Sequence, residues 1–346
     1  MKLAIIGGGA AGFFLAINVK EMVPGLDVTI FERQQKVLSK VAISGGGRCN
    51  CTNTFADITD LHQAYPRGAN LLKRLFKIFN NEDAIQWFEN HGVPLTVQDD
   101  QCIFPEAQDS QAIIGCFMRE AKRHGVKIRL GEKRNTPANL LDGYDFVAVT
   151  IGGTPNGEGC VPSLFTFNIA DKGLQSLMGT VVENAIASIP ATKMRSQGAL
   201  LITHWGMSGP AILKLSSYAA RHLSECNYHS PLLINWTGEN NSDTVRQLIV
   251  NALQQNAQKQ IDNVRPFALP ARFWDYLLAK AALQGKRCGE LGKKGVNRLT
   301  DLLTNDTYTI ASRCHYKDEF VTCGGVSLDA VDKNTLESKL SPNIYY

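Results

Sequence analysis

No stretch of these 346 residues is apolar for long enough to span a bilayer, so no transmembrane helix is expected. Charge of one sign is also scarce: 36 Lys and Arg stand against 32 Asp and Glu. The basic residues gather in nothing larger than short clusters such as Lys286-Arg287 and Lys293-Lys294, which read as solvated surface. A nucleic-acid partner is therefore not expected. The nine cysteines are odd in number and scattered from Cys49 to Cys323. No Cys-x-x-Cys occurs, and the close pair Cys49 and Cys51 lacks the second Cys or His pair of a zinc site. Free, mostly buried thiols are expected, with neither metal nor disulfide. Repeats, low-complexity tracts and heptads are missing too. The apolar stretch Leu3–Ile17 carries four glycines in a motif spacing and runs straight into a second strand, so a secretory leader is not expected there. The reading is a cytoplasmic protein without a membrane partner.

What remains is a globular composition, 44% apolar and 20% charged, long enough for two or three domains with real cores. Residues 2–6 form an apolar strand that breaks into Gly7-Gly8-Gly9-Ala10-Ala11-Gly12, a Gly-x-Gly-x-x-Gly turn leading into a helix from Phe13 to about Glu21. Each glycine has a task. Gly7 permits the tight turn, Gly9 lets a pyrophosphate approach the backbone, and Gly12 lets the helix pack close to the strand. The helix then directs its first N–H groups and positive dipole end at the phosphates. A second strand, Asp27–Phe31, ends at Glu32 and Arg33. Glu32 lies twenty residues beyond Gly12, where an acidic side chain binds a ribose diol.

Further along, residues 40–53 read as a glycine-rich loop and 69–91 as a helix, with Leu71, Leu72, Leu75, Phe76, Phe79 and Trp87 at helical spacing. A helix over 111–124 leads into a strand at 126–130, and another strand, Phe146–Thr150, ends in Ile151-Gly152-Gly153. After Pro162 the texture becomes β-rich, with strands at 163–169, 179–189, 199–204 and 231–237. A helix at 210–224, amphipathic helices at 243–262 and 270–284, a helix near 295–304 and strands within 307–328 complete the expectation. The implied division is 1–160 with 318–346, then 161–238 with 307–317, and a helical subdomain at 239–306.

Three more stretches carry chemistry. Ser44-Gly45-Gly46-Gly47-Arg48-Cys49-Asn50, running on to Thr52-Asn53, exposes backbone N–H groups beside side chains that bond phosphate or a polar ring edge, which points to cofactor contact. Thr150, Gly152 and Gly153 close a parallel strand with glycines, at the end of the sheet where ligands sit. Thr203-His204-Trp205-Gly206-Met207-Ser208-Gly209-Pro210 offers His204 and Ser208 to a substrate pocket as weak catalytic candidates, or serves only as a turn and cap for the next helix. No second Gly-x-Gly-x-x-Gly follows.

Together these motifs resemble the BaiN-like, aminoacetone-oxidase-like flavoproteins, a family of NAD(P)/FAD-dependent oxidoreductases. The matching residues are Ile5–Gly12, Ser44–Asn50 with Thr52-Asn53, Phe104-Pro105, Pro162-Ser163-Leu164, Thr203–Pro210, Gly324-Gly325-Val326 and Thr335–Lys339. The resemblance implies an α/β fold: a doubly wound, Rossmann-type FAD-binding domain with an inserted β-barrel-like domain and a helical subdomain. It implies that Gly7–Gly12, with Ala10 and Ala11, holds the FAD pyrophosphate and that Glu32 binds the adenosine ribose. The 44–53 loop would run along the flavin side, and Arg33, Gly324 and Gly325 are expected among the cofactor-binding residues as well. The implied activity is hydride transfer between NAD(P)H, flavin and a small organic substrate, with NAD(P)H as a transient co-substrate. This chain is short between Lys133 and Tyr144 and after Gly153. At Asn343-Ile344-Tyr345-Tyr346 family members continue into a Gly-Glu strand and a Gly-Gly-Phe/Tyr-Asn turn that completes the flavin pocket. That difference, with the lack of an evident acid–base pair, keeps a non-catalytic flavin-binding or scaffold protein as the alternative. A simple NAD-dependent dehydrogenase is disfavoured by the 44–53 loop, for which it has no need. Nothing in the sequence sets the oligomeric state.

Overall fold

The computed structural model describes residues 1–134, 136–153, 159–314 and 321–346, in two compact units: Met1–Gly159 with Gly324–Tyr346, and Cys160–Cys323. The first unit opens with β1 (Lys2–Ile6), α1 (Ala10–Met22) and β2 (Asp27–Phe31). A short α2 (Ser39–Ile43) and β3 (Thr52–Asn53) precede α3 (Leu61–Ala64), α4 (Ala69–Leu75) and α5 (Asn81–Asn90). Then come β4 (Leu95–Val97), β5 (Cys102–Pro105), α6 (Gln111–Arg123), β6 (Lys127–Arg129) and β7 (Phe146–Val149). The main sheet is parallel, with β1 between β2 and β7, and β6 beyond β2. Alternation along β1 explains its two-sided burial. Leu3 and Ile5 join Phe13, Ile17 and Phe117 in the core under α1 and α6, whereas Ala4 and Ile6 pack with Phe31 and Val147 on the other face.

The second unit runs β8 (Val161–Ser163), β9 (Phe167–Ile169), α7 (Lys172–Gln175), β10 (Val181–Ser188), β11 (Arg195–Thr203), β12 (Gly206–Ser208), α8 (Pro210–Tyr218), α9 (Ala220–Glu225) and β13 (Ser230–Asn235). It continues with α10 (Ser242–Gln255), α11 (Ala271–Lys280), α12 (Gly292–Thr304), β14 (Asp306–Arg313) and β15 (Val321–Cys323). Six strands close into a barrel in the order β10-β11-β12-β9-β14-β13. The barrel and the three helices α10–α12 share one hydrophobic core, including Ile202, Trp236, Ile249, Phe273, Trp274 and Leu303. Asp306 is buried within this unit and accepts from Lys280 Nζ at 2.5 Å, Tyr308 Oη at 2.6 Å and Trp236 Nε1 at 3.0 Å. The chain then returns to the first unit, where β16 (Ile344–Tyr345) adds in parallel to β7 and completes the five-stranded sheet. The expected doubly wound Rossmann-type α/β fold with a β-barrel is what the chain adopts. No helix among the described residues is long and apolar enough to cross a membrane.

Several expected elements are divided. The stretch 69–91 is two helices because Asn80 starts the second with a reciprocal cap: its side chain accepts from the N–H groups of Glu82 and Asp83, and Asp83 accepts from the Asn80 N–H. The segment 163–169 is split into β8 and β9, with Leu164 left-handed at φ +56° between them. The helix at 210–224 breaks at Ala219, and the one at 243–262 ends at Gln255 before a single turn at Ile261–Asn263. The loop at 40–53 contains α2 and a tight turn at Ser44–Gly47. The boundary placed at 317/318 lies outside the described residues, as do residues 154–158 that follow the Gly153 turn.

Candidate functional site

The order of the main sheet reverses at β1, whose neighbours β2 and β7 lead away in opposite directions. Ligands of doubly wound folds bind beyond the carboxyl ends of the strands at such a switch point, and there the Gly7–Gly12 turn and Thr150 come together. Gly7 has φ +113°, and a Cβ on it would lie 2.5 Å from the Thr150 carbonyl oxygen. A Cβ on Gly12 would lie 2.1 Å from the Gly7 carbonyl oxygen and 2.8 Å from Thr150 Oγ1. The Thr150 hydroxyl donates to the carbonyls of Ile6 at 3.1 Å and Gly7 at 3.0 Å, so the two strand ends are bonded to each other. Glu32 joins them from the end of β2: its carboxylate accepts from the Gly8 N–H at 2.9 Å and the Gln34 N–H at 2.8 Å. Arg33 beside it is exposed.

The cradle suits an anionic dinucleotide. Gly9, the residue capping α1, has open space where a side chain would stand and offers no side-chain cap. Ala10 and Ala11 are exposed, and the first turn of α1 holds no acidic residue. Uncapped N–H donors at the positive end of a thirteen-residue helix are an anion site.

The Ser44–Asn50 stretch forms a second concentration of backbone donors. Gly45, Gly46 and Gly47 are left-handed in succession, at φ +57°, +68° and +87°, and Cys49 follows at +62°. Gly46 has nothing near where its Cβ would be, whereas a Cβ on Gly45 would strike the Asn50 nitrogen at 2.7 Å. Ser44 directs its hydroxyl to the Val41 carbonyl at 3.0 Å, and Asn50 is exposed. Arg48 braces this loop. Its Nε donates to the Gly45 carbonyl, its Nη1 reaches Gln98 and Gln108 at 3.3 Å each, and its guanidinium lies 4.3 Å from the centre of the Phe104 ring. Ser110 at the start of α6 completes the support, donating through N–H to the Gly47 carbonyl and through its hydroxyl to the Ala42 carbonyl. Gln98, Gln108 and Ser110 carry no motif of their own; only Phe104-Pro105 is marked in sequence, by the family resemblance.

Cys49 is buried within this loop. The Cys51 thiol beside it and the Ser44 hydroxyl hold the Cys49 thiol down to about 7, and the same contact with burial pushes Cys51 well up. Cys51→Ala removes the larger donor, so the Cys49 thiol is expected to titrate higher than in the parent. The pH dependence of alkylation at Cys49, followed by peptide mass spectrometry, reads the shift; identical profiles for parent and variant would contradict the pairing.

Of the remaining predicted residues, two adjoin this end of the sheet and the others lie apart from it. Gly152 (φ +67°) and Gly153 continue from the Thr150 turn, with Gly152 exposed. Gly324 and Gly325 are exposed at the return to the first unit, and no hydrogen bond among the described residues ties them to the Gly7–Gly12 turn. His204 and Trp205 form the two-residue turn of the β11–β12 hairpin in the second unit, their rings edge-on at 4.5 Å. Ser208 ends β12 opposite Leu201, Gly209 caps α8 at φ +91°, and Pro210 is its first residue. That is the turn-and-cap arrangement. A cavity of about 550 Å³ in the first unit is lined by Val93, Pro94, Pro105, Glu106, Gln111 and Arg119 among others, with no residue of the Gly7–Gly12 turn. No group of three or more His, Cys, Asp or Glu among the described residues is arranged to hold a metal.

Residues 1–346 match the profile of a family described as "HI0933-like protein Rossmann domain". A "Ribosomal RNA dihydrouridine synthase" of Haemophilus influenzae is 24% identical over 99% of this chain and 90% of its own length. The protein of the same description in Escherichia coli is 25% identical over 99% and 89%. A "3-dehydro-bile acid delta(4,6)-reductase" of Clostridium scindens is 22% identical over 99% and 91%.

Proposed function

This chain belongs to the HI0933-like family of Rossmann-type, FAD-binding oxidoreductases, and from that premise we propose that it reduces a carbon–carbon double bond conjugated to a carbonyl, using FAD and taking hydride from NAD(P)H. The observation that carries the proposal is the uncapped, open cradle at Gly9–Ala11 beside Glu32, at the point where the sheet reverses. The double bond is suggested by the relatives' names. Dihydrouridine is uridine with two hydrogens added across the base's double bond, and a delta(4,6)-reductase removes unsaturation from a steroid skeleton. The substrates differ; the bond chemistry is shared.

In this reading the N–H groups of Ala10 and Ala11 take the pyrophosphate, with Gly9 leaving room for it, and Glu32 binds the ribose diol. Gly45–Gly47 and Asn50 offer backbone donors to the polar edge of the ring system, and Arg48 keeps that loop in shape through Gln98, Gln108 and Phe104. A bound flavin supplies the two-electron chemistry that no side chain can. Thr150 fixes the strand ends so that the donors are placed before a ligand arrives.

The test is spectroscopic. The purified chain should be yellow, or become so with added FAD. It should bleach anaerobically with NADH or NADPH and recover its colour when a conjugated enone or a uridine-containing oligonucleotide is added without oxygen. A protein that stays colourless with excess FAD sinks the cofactor reading. A yellow protein inert to both donors favours the non-catalytic flavin-binding alternative, and one that bleaches but is reoxidised only by oxygen removes the double-bond reduction.

A further inference from the structure

All nine cysteines are free, and two of them meet inside the Ser44–Asn53 loop. The thiols of Cys49 and Cys51 share a hydrogen bond, and the Cys51 sulfur also lies 3.5 Å from the Cys49 carbonyl oxygen. The main chain holds the pair on both sides. The Cys49 N–H donates to the Ser44 carbonyl at 2.9 Å, and the Cys51 N–H donates to the Ile103 carbonyl at 2.8 Å. Residues two apart in a chain have α-carbons no more than about 7 Å from each other. The chain also bends here, with Cys49 left-handed at φ +62°. A disulfide needs an α-carbon separation of about 4.4–6.8 Å and sulfurs on the same side, and the shared hydrogen bond meets the second condition. Cys102, the next thiol in the same small sheet, is engaged elsewhere: its sulfur accepts from Asn53 Nδ2 at 3.8 Å.

From this contact we propose that Cys49 and Cys51 are a redox pair, closed to a disulfide by hydrogen peroxide and reopened by a dithiol. The proposal goes beyond the double-bond reduction and does not depend on it. The Cys49 thiolate attacks the peroxide: an S–O bond forms, the O–O bond breaks, and the hydroxide that leaves takes up a proton as water. The Cys51 thiol then attacks the sulfur of the resulting sulfenic acid. The S–S bond forms, the S–O bond breaks, and the departing hydroxide carries off the Cys51 proton. Two thiols have lost two electrons, and one peroxide has become two waters. The two environments suit these roles. Cys49, held down to about 7, supplies thiolate near neutral pH, and Cys51, pushed well up, stays protonated until it reacts. Burial selects the oxidant. Cys49 is 7% exposed, which admits a molecule the size of hydrogen peroxide and shuts out glutathione disulfide. Asn50 lies between the two sulfurs in the chain, and its main-chain nitrogen packs against Gly45. Closing the pair therefore ties off the end of the loop that follows the Gly45–Gly47 donors.

Peptide mass spectrometry of the full chain tests the pair. The protein is reduced, freed of reductant, treated with equimolar hydrogen peroxide, alkylated and digested. The peptide carrying both cysteines is expected to be two hydrogens lighter and to have lost both alkylation sites, and dithiothreitol should restore them. Cys226, half-buried and sharing no hydrogen bond with another cysteine among the described residues, should remain alkylatable at the same dose. Cys51→Ala should stop at a Cys49 sulfenic acid that dimedone traps, and Cys49→Ala should leave Cys51 alkylatable. Glutathione disulfide should modify neither residue in the parent. The proposal is overturned if both thiols of the parent stay alkylatable after peroxide, or if parent and Cys51→Ala give the same yield of sulfenic acid. A disulfide from either residue to Cys102, or glutathione carried on Cys49, overturns it as well. The parent peptide decides the matter by itself should a variant fail to fold. No measurement here needs bound FAD, so failure of the flavin reading and failure of the redox pair are told apart.

Discussion

Gly12→Ala is expected to give a protein that emerges from purification without FAD and melts below the parent even when both are stripped of cofactor. The new methyl group would sit 2.1 Å from the Gly7 carbonyl oxygen and 2.8 Å from Thr150 Oγ1. Neither atom can yield cheaply. The Gly7 carbonyl accepts from Thr150, and Gly7 itself is held at φ +113° with its N–H on the Phe31 carbonyl. The helix must therefore lift from the strand, which costs about 1–3 kcal/mol by analogy with other overpacked sites and moves the first-turn donors off the phosphate position. Gly9→Ala separates the two effects. With φ −90° and empty space at its Cβ, it should change the cofactor-free melting by less than about 0.5 kcal/mol while still weakening FAD binding by crowding the pyrophosphate. Absorbance at the flavin band and a thermal melt of the stripped proteins read both. Full flavin occupancy with parental stability in Gly12→Ala would refute the steric argument.

Asp306→Ala should damage the second unit as severely. Both carboxylate oxygens are occupied by donors, Lys280 on one and Trp236 with Tyr308 on the other, and the Tyr308 ring lies 4.1 Å beneath the Lys280 ammonium. Burial and the neighbouring carboxylate keep the Tyr308 hydroxyl protonated well beyond the usual phenol range, so it remains a donor. Removing Asp306 leaves an ammonium, an indole N–H and a phenol without their acceptor. Breaking such a buried pair from one side costs about 3–5 kcal/mol, and the partial solvation of Lys280 places the expected loss near the lower end. For a unit of this size that is a fall in melting temperature of roughly 6–12 °C. The double variant D306L/K280M should recover much of it, because an apolar pair carries no orphaned charge. A single variant within about 0.5 kcal/mol of the parent, by the yardstick of ordinary surface substitutions, shows the network to be dispensable.

The cradle was legible in sequence because its requirements are local and steric: Gly7, Gly9 and Gly12 act within six residues, and Glu32 follows at a fixed distance. The barrel was legible as a β-rich region but not as a closed sheet, since its closure depends on β9 pairing with β14 across more than half the second unit. Helix boundaries failed where apolar spacing ran through a break. Phe76 and Phe79 continue the period of α4, and only the Asn80 cap with Asp83 reveals the new start. The partners of Arg48 were invisible for a different reason. Gln98 and Gln108 lie 50 and 60 residues away and have no side chain that announces the role.

The strands that begin and end the second unit, β8 and β15, pair antiparallel with each other, Val161 opposite Cys323 and Ser163 opposite Val321. The inserted unit thus carries its own clasp. Once the clasp closes, the chain leaves and rejoins the first unit at neighbouring points, and the long excursion weighs on the host sheet's chain entropy like a short connection rather than an open loop. The pairing of β16 with β7, remote in sequence, is brought closer in effective chain length by the β8–β15 pairing. The five-stranded host sheet is thus completed by a strand that follows the whole inserted unit in the chain, across an insertion whose two ends are held side by side.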